Sequence, residues 1–254
     1  MATRKIVTSA AASAPATSAQ FTPTPEAKKQ ATTFRLIAVV LWVLAIGAEA
    51  FTIFWVLKHT ELRGFMVWLI GLIVVIGVLA LAGSLLWKKA NRFDPASKSD
   101  PVRFFIQNQL GVFITLLAFV PLIVLIFLNK DMSKNQKTIA GIVGIVVALA
   151  VGLGSADFDS PSTEQITEDA SMVMEYTGTQ TVYWVPGGKV YHLCALYPEG
   201  TYIAAFSRGT SDINATTVAE AVQNGKERLS MYGFSECGLT EGQPTGKLPV
   251  EQTI

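Results

Sequence analysis

A membrane all-α four-helix bundle, followed by a small C-terminal α+β domain of a β-hairpin, a third strand and a helix, is the fold expected from this sequence. Three observations carry this. Four long apolar runs fall between residues 36 and 154. Charged residues make up only 15% of the chain, where soluble domains run near 25%. After residue 178 the hydrophobic pattern changes from continuous runs to strand-like alternation.

The charge is split. Residues 1–154 hold 15 Lys/Arg and 6 Asp/Glu, and residues 155–254 hold 5 and 13, so a net charge of +1 conceals a basic half (+9) and an acidic half (−8). The basic residues flank the apolar runs, where lipid headgroups account for them. The acidic half would repel phosphates, so no nucleic-acid partner is expected.

Residues 1–33 are rich in Ala, Ser, Thr and Pro and lack apolar periodicity, which predicts a disordered tail. The stretch after Arg4 and Lys5 is polar and does not resemble the apolar core of a signal peptide. The membrane domain covers residues 34–154, with helices expected at about 36–57, 65–87, 106–128 and 139–153. A rise of 1.5 Å per residue makes about 20 residues span a hydrocarbon core of roughly 30 Å. The fourth run is the shortest, and Gly141 and Gly144 suit close packing inside the bundle. The runs are apolar on all sides, as lipid-solvated helices are. Pro121 interrupts the third, which membrane helices tolerate.

Ten Lys/Arg lie before the first run (Arg4, Lys5, Lys28, Lys29, Arg35) or between the second and third (Lys88, Lys89, Arg92, Lys98, Arg103). Five lie in the other two loops (Lys58, Arg63, Lys130, Lys134, Lys137). The positive-inside rule then predicts a multi-pass cell-membrane protein with both termini cytoplasmic.

An acidic linker is expected at 155–178, with a short helix near Thr163, and a small domain at 179–238. Thr181 to Val185 and Lys189 to Cys194 flank the turn signal Pro186-Gly187-Gly188 and read as a hairpin. Residues 201–206 read as a third strand. Thr217 and Glu220 match a capping box, opening a helix that ends near Asn224-Gly225 or continues to about Met231. Residues 239–254 read as a disordered tail.

Glu49 lies near the middle of the first span. An intramembrane carboxylate is costly and is a functional candidate by default, as a cation or proton relay or as a hydrogen-bonding group that fixes packing. Cys194 and Cys237 are the only cysteines. They either pair and staple a small core, remain unrelated thiols, or join His192 in a metal site. Structural zinc wants four ligands and this set offers three, so no metal or other cofactor is assigned. Tyr183, Trp184, Tyr191 and His192 are the candidate ligand or partner contacts, with core packing expected for at least two of them. No P-loop, nucleophile elbow, dinucleotide fingerprint or metalloprotease helix is present, and no enzyme activity is expected.

Residues 34–160 resemble a family of uncharacterised bacterial four-helix membrane proteins of actinobacteria and clostridia. The resemblance rests on Phe34-Arg35-Leu36-Ile37, Glu49, Gly83 to Asn91, Asp94-Pro95-Ala96-Ser97, Gln107-Asn108-Gln109-Leu110-Gly111 and Asn129-Lys130-Asp131. It implies a four-span bundle and no particular activity. The C-terminal part is similar to a small bacterial module carrying Val182-Tyr183-Trp184, Gly188 to His192, Val218 to Ala221 and Gly225-Lys226. That likeness implies a zinc site closed by Cys-x-x-Cys. This chain departs from the pattern: Cys194 stands two residues after His192, and Cys237 is alone.

Together these readings point to a non-enzymatic membrane protein presenting a small binding module at the bilayer surface, as an accessory or interaction protein within a membrane complex. The alternatives are a small transporter or channel component using Glu49, and a zinc- or thiol-dependent membrane sensor. The oligomeric state is not legible.

Overall fold

The computed structural model describes residues 5–12, 21–158, 160–207 and 212–252. The chain divides into two compact units. One is the helical stretch Thr24–Asp94 with Asp100–Ser160. The other gathers the segment before Thr24, Pro95–Ser99 and the chain from Pro161 onward.

The helical unit has four helices long and apolar enough to cross a membrane: α1 (Pro25–Phe54, continued by a 3-10 turn to Lys58), α2 (Phe65–Phe93), α3 (Pro101–Leu128) and α4 (Lys134–Ser155). Three of them start on a side-chain cap placed ahead of the apolar run. Thr24 caps α1 by accepting from the Ala27 N–H at 3.2 Å, with Pro25 at the first helical position. This starts the helix inside the stretch expected to be disordered, because capping and good helix formers act without apolar periodicity. Asp100 and Pro101 do the same for α3. Ser133 and Gln136 form a capping box for α4, whose polar first turn lengthens it to 22 residues, enough to span.

Small residues set the packing, since lipid gives helices no hydrophobic reason to associate. The face of α1 at Ala38, Trp42, Ala45, Glu49 and Thr52 is buried. A Cβ on Gly83 would stand 2.6 Å from the Trp42 indole nitrogen, which donates to the Ala80 carbonyl. Gly141 and Gly144 face Phe127 and Ile123 of α3. The outward face is apolar throughout, with Val43, Val67, Leu117, Val146 and Leu153 exposed.

The second unit holds β1 (Ile6–Thr8), α5 (Thr163–Thr177), β2 (Val182–Trp184), β3 (Val190–Tyr191), α6 (Ala204–Ser207), β4 (Ile213–Thr216), α7 (Val218–Gln223), β5 (Arg228–Leu229) and α8 (Gly233–Glu236). Its main sheet has the order β1-β4-β2, with β1 parallel and β2 antiparallel to β4. The hairpin exists as a narrow ladder: Tyr183 and His192 exchange both backbone hydrogen bonds at 2.8 Å, across a turn with Gly187 at φ 84°. β3 and β5 form a separate parallel pair.

Several expectations are corrected. Residues 201–206 do not form a strand; α6 lies there, and the strand partnering β2 is β4 at 213–216. Alternation in Thr201-Tyr-Ile-Ala-Ala-Phe is equally compatible with one helical turn, in which the buried Ile203 and Phe206 meet at i, i+3. α7 takes the shorter of its two expected lengths, stopping at Asn224 with Gly225 at φ 88°. Part of the N-terminal tail is the strand β1; residues 1–4 and 13–20 of that tail lie outside the described residues. The C-terminal stretch is packed through residue 252 and is not a free tail. The Gln252 side chain accepts from the Ala195 and Leu196 N–H groups, and the Tyr176 hydroxyl accepts from the Gly242 N–H. Residues 253 and 254 lie outside the description. The helix expected around Thr163–Glu175 forms as α5; what changes is that this segment is no mere linker but contributes Ile166, Val173 and Tyr176 to the core.

The pairing of β1 with β4 constrains the topology. β1 precedes the first apolar helix and β4 follows the fourth, yet the two pair in one sheet. Residues 96 and 97, between α2 and α3, belong to the same unit: the Thr163 N–H donates to the Ala96 carbonyl, and the Ser97 hydroxyl donates to Glu164.

Candidate functional site

Cys194 and Cys237 form a disulfide closing a separation of 43 residues, inside the core of the small unit. Beside it, His192 Nδ1 lies 2.9 Å from Glu236 Oε2, and the imidazole meets the Phe206 ring edge-on. His192 and Cys194 come from the strand-to-loop segment after the hairpin, Glu236 and Cys237 from α8 and its cap. The sulfurs are bonded to each other and the imidazole faces a carboxylate, so the set His192, Cys194, Cys237 is not arranged to ligate a metal. Among the described residues no group of three or more His, Cys, Asp or Glu is placed to hold one. Burial pushes the His192 imidazole below its ordinary range, and the Glu236 carboxylate opposes that shift.

The four aromatic and imidazole candidates are all in the core: Tyr183, Trp184, Tyr191 and His192 are each at most 7% exposed. The packing role anticipated for at least two of them extends to every one. β2 is covered on both faces, which a single alternating strand does not announce. Each polar tip finds a partner or is held neutral. The Trp184 indole donates to Thr216 Oγ1 at 2.8 Å. The Tyr191 hydroxyl donates to Asp169 Oδ2 at 2.5 Å, tying the sheet to α5. Burial raises Asp169, with this hydrogen bond opposing, and pushes the Tyr183 phenol up to about 12.

Lys226 enters the sequence reading only through the Gly225-Lys226 motif and is not among its candidate site residues. It is 3% exposed, donates to the Val185 carbonyl at 2.9 Å and to the Gly188 carbonyl, and lies 4.6 Å from the Trp184 ring centroid. It therefore clamps the Pro186-Gly187-Gly188 turn. A Lys directly after the α7 terminator Gly225 was the available signal, and nothing local says that its ammonium turns inward.

In the helical unit Glu49 is 5% exposed, on the inward face of α1. Its carboxyl meets the backbone at Leu122, one residue past Pro121 in α3. Among the described residues its Oε1 has no hydrogen-bond partner. Thr52, one turn on, returns its hydroxyl to the Ala48 carbonyl.

A larger polar assembly lies at the end of the bundle where α1 and α3 begin and α2 finishes. Asp94 Oδ2 is 2.8 Å from Arg35 Nη1 and 3.6 Å from Arg103 Nη2. The Asp94 carbonyl accepts from Arg35 and from the Gln107 amide. The Gln107 carbonyl in turn accepts from the Trp87 indole at 2.8 Å and from Asn91 at 2.6 Å. Lys88 donates to the Gly154 and Ala156 carbonyls at the C-terminus of α4, where a cation suits the helix dipole. At the opposite end Asn129 donates to the Leu57 carbonyl and accepts from the Asp131 and Met132 N–H groups. The polar stretches of the membrane part thus interlock as helix-end fasteners.

Comparison of the chain with protein-family models, curated proteins and solved structures gives no match.

Proposed function

We propose that this protein is a non-enzymatic, multi-pass membrane accessory protein that presents a disulfide-closed module on the oxidising face of the cell membrane for a partner in a membrane complex. The observation that carries the reading is the construction of the module from three separate segments: one before α1, one between α2 and α3, and one after α4. A module assembled this way is tethered at several points on one side of four spans, which suits display and positioning better than it suits a path through the bilayer.

The oxidising side is favoured by the buried disulfide, since such bonds persist outside the reducing cytosol. The charge count favours the opposite side, ten against five. Four of the ten carry little weight in that count. Arg4 and Lys5 lie about 30 residues before the first apolar run, beyond the 15–20-residue reach of the rule. Arg35 is engaged by Asp94, and Lys88 by α4 carbonyls. The other six stand against five, and the bias nearly vanishes.

The competing reading is a transporter or channel component, favoured by the buried Glu49 carboxyl with its unbonded Oε1. A thiol-dependent sensor is a third, for which the disulfide would have to cycle. A loss-of-function strain complemented with variants separates them. Glu49→Gln should restore the phenotype fully, and a module lacking both cysteines should fail. Failure of Glu49→Gln with success of the cysteine-free chain would refute the accessory reading in favour of transport. Loss of the phenotype on mild oxidation or reduction of the intact protein would instead favour the sensor.

A further inference from the structure

Among the described residues of the helix-end assembly, Arg103 has unmet bonding capacity facing outward. Its side chain is 56% exposed and touches Asp94 only at 3.6 Å, because that carboxylate oxygen is already held by Arg35 at 2.8 Å. A guanidinium carries five donors in a planar fork suited to phosphate. No side-chain N–H of Arg103 makes a hydrogen bond among the described residues. Arg103 lines a cavity of about 430 Å³ together with Arg35, Trp87, Asp100, Val102, Ile106 and Gln107. The depth is set by the sequence: Arg35 immediately precedes the first apolar run, Trp87 closes the second and Ile106 opens the third. This is the level of lipid headgroups, where Trp is enriched. Val102 and Ile106, 67% and 49% exposed, extend the cavity with an apolar wall toward the hydrocarbon.

We propose that this cavity binds the phosphodiester of an anionic phospholipid, with Arg103 supplying the bidentate contact, Arg35 and Trp87 forming the floor, and Val102 and Ile106 lying along the acyl chain. An anionic headgroup fits better than a choline one. A phosphate oxygen would find the unbonded Arg103 donors, whereas a choline would find only Asp94, already held by Arg35 at 2.8 Å, and Asp100, whose Oδ1 accepts from the Arg103 backbone N–H as the α3 cap. Free phosphate shares the chemistry of the headgroup and lacks the acyl chain that the apolar wall would hold.

The test uses the purified full chain in mild detergent and native mass spectrometry with phosphatidylglycerol, phosphatidylcholine or inorganic phosphate. The wild type and an Arg63→Gln control, altered at the other end of the bundle, should retain phosphatidylglycerol in preference to phosphatidylcholine. Arg103→Gln should weaken that retention about tenfold, the loss expected for a charge-assisted contact. Thermal unfolding of the same samples should show phosphatidylglycerol stabilising the wild type and not Arg103→Gln, a readout independent of adduct survival in the gas phase. Equal retention by wild type and Arg103→Gln, or equal retention of the two lipids, would overturn the proposal. Displacement of phosphatidylglycerol by millimolar inorganic phosphate would overturn the lipid assignment.

Discussion

Removing the Cys194–Cys237 bond should unlock the small unit and leave the helical unit standing. The bond closes a separation of 43 residues. The chain-entropy relation, with an entropy of about −2.1 − 1.5R ln n, gives close to 13 cal/mol/K, or about 4 kcal/mol at 25 °C. Engineered disulfides often fall short of this figure, so about 2–4 kcal/mol is the working range. The effect is large relative to the module, because a folded unit of this size holds only a few kcal/mol of net stability. Hydrogen exchange by mass spectrometry reads the two units separately. Amides of β2, β4 and α7 should exchange roughly 30- to 1000-fold faster in the Cys194→Ala/Cys237→Ala chain, at about 1.4 kcal/mol per tenfold. Amides of α1 to α4 should not change. A change below about threefold in the module, or equal loosening of α1 to α4, would mean that the bond does not staple an independent small core.

Lys226→Met keeps the stem but orphans the Val185 and Gly188 carbonyls; a cost of about 2–3 kcal/mol is expected, visible as faster exchange around the 186–188 turn. For His192 the folded pKa lies below the unfolded value near 6.5, so the unfolded chain binds the extra proton first, and stability is lost as pH falls through about 6.5. Calorimetric unfolding between about pH 7.5 and 6 should show this slope, at most about 1.4 kcal/mol per pH unit. His192→Gln should remove that slope and leave any opposing contribution from Asp169, whose raised folded pKa adds stability as pH falls. Asp94→Asn weakens the hold on Arg35 at a partly buried position; a loss of about 1–3 kcal/mol should lower the thermal midpoint of the helical unit in detergent.

The membrane bundle was legible because its signal is redundant. Four apolar runs repeat the same message over many residues, and continuous apolar runs of about 20 residues suit a spanning helix, not the shorter alternating strands of a barrel. The starts of α1 and α4 were less visible, since Thr24 with Pro25 and Ser133 with Gln136 are single-residue signals outside the apolar runs. In the small unit the hairpin and α7 followed from local turn and capping chemistry. The partners of β2 did not. β4 is four residues long and begins at residue 213, far along the chain from β2, and β1 lies on the other side of four helices. Such pairings depend on tertiary assembly, which periodicity cannot express. The same limit explains the site. Tyr183, Trp184, Tyr191 and His192 read as contact residues from the sequence, but all four side chains are buried in the core, and β2 is covered on both faces. Arg35, Asp94, Arg103 and Gln107 are scattered over α1, the C-cap of α2 and α3, and only the helix packing brings them together.

Whether the flanks of the bundle share one oxidising face can be read by labelling. Tyr232 is 67% exposed in the module, and Lys130 lies in the loop between α3 and α4. Tyr232→Cys and Lys130→Cys, each introduced singly into the otherwise native chain, would be treated with a membrane-impermeant maleimide in intact cells without reductant. Tyr232→Cys should be labelled in intact cells, Lys130→Cys only after permeabilisation, and the native chain under neither condition. Labelling of Tyr232→Cys only after permeabilisation, or of the native cysteines without reduction, would place the module on the reducing side or unmake its disulfide, and the proposed function would fall with it.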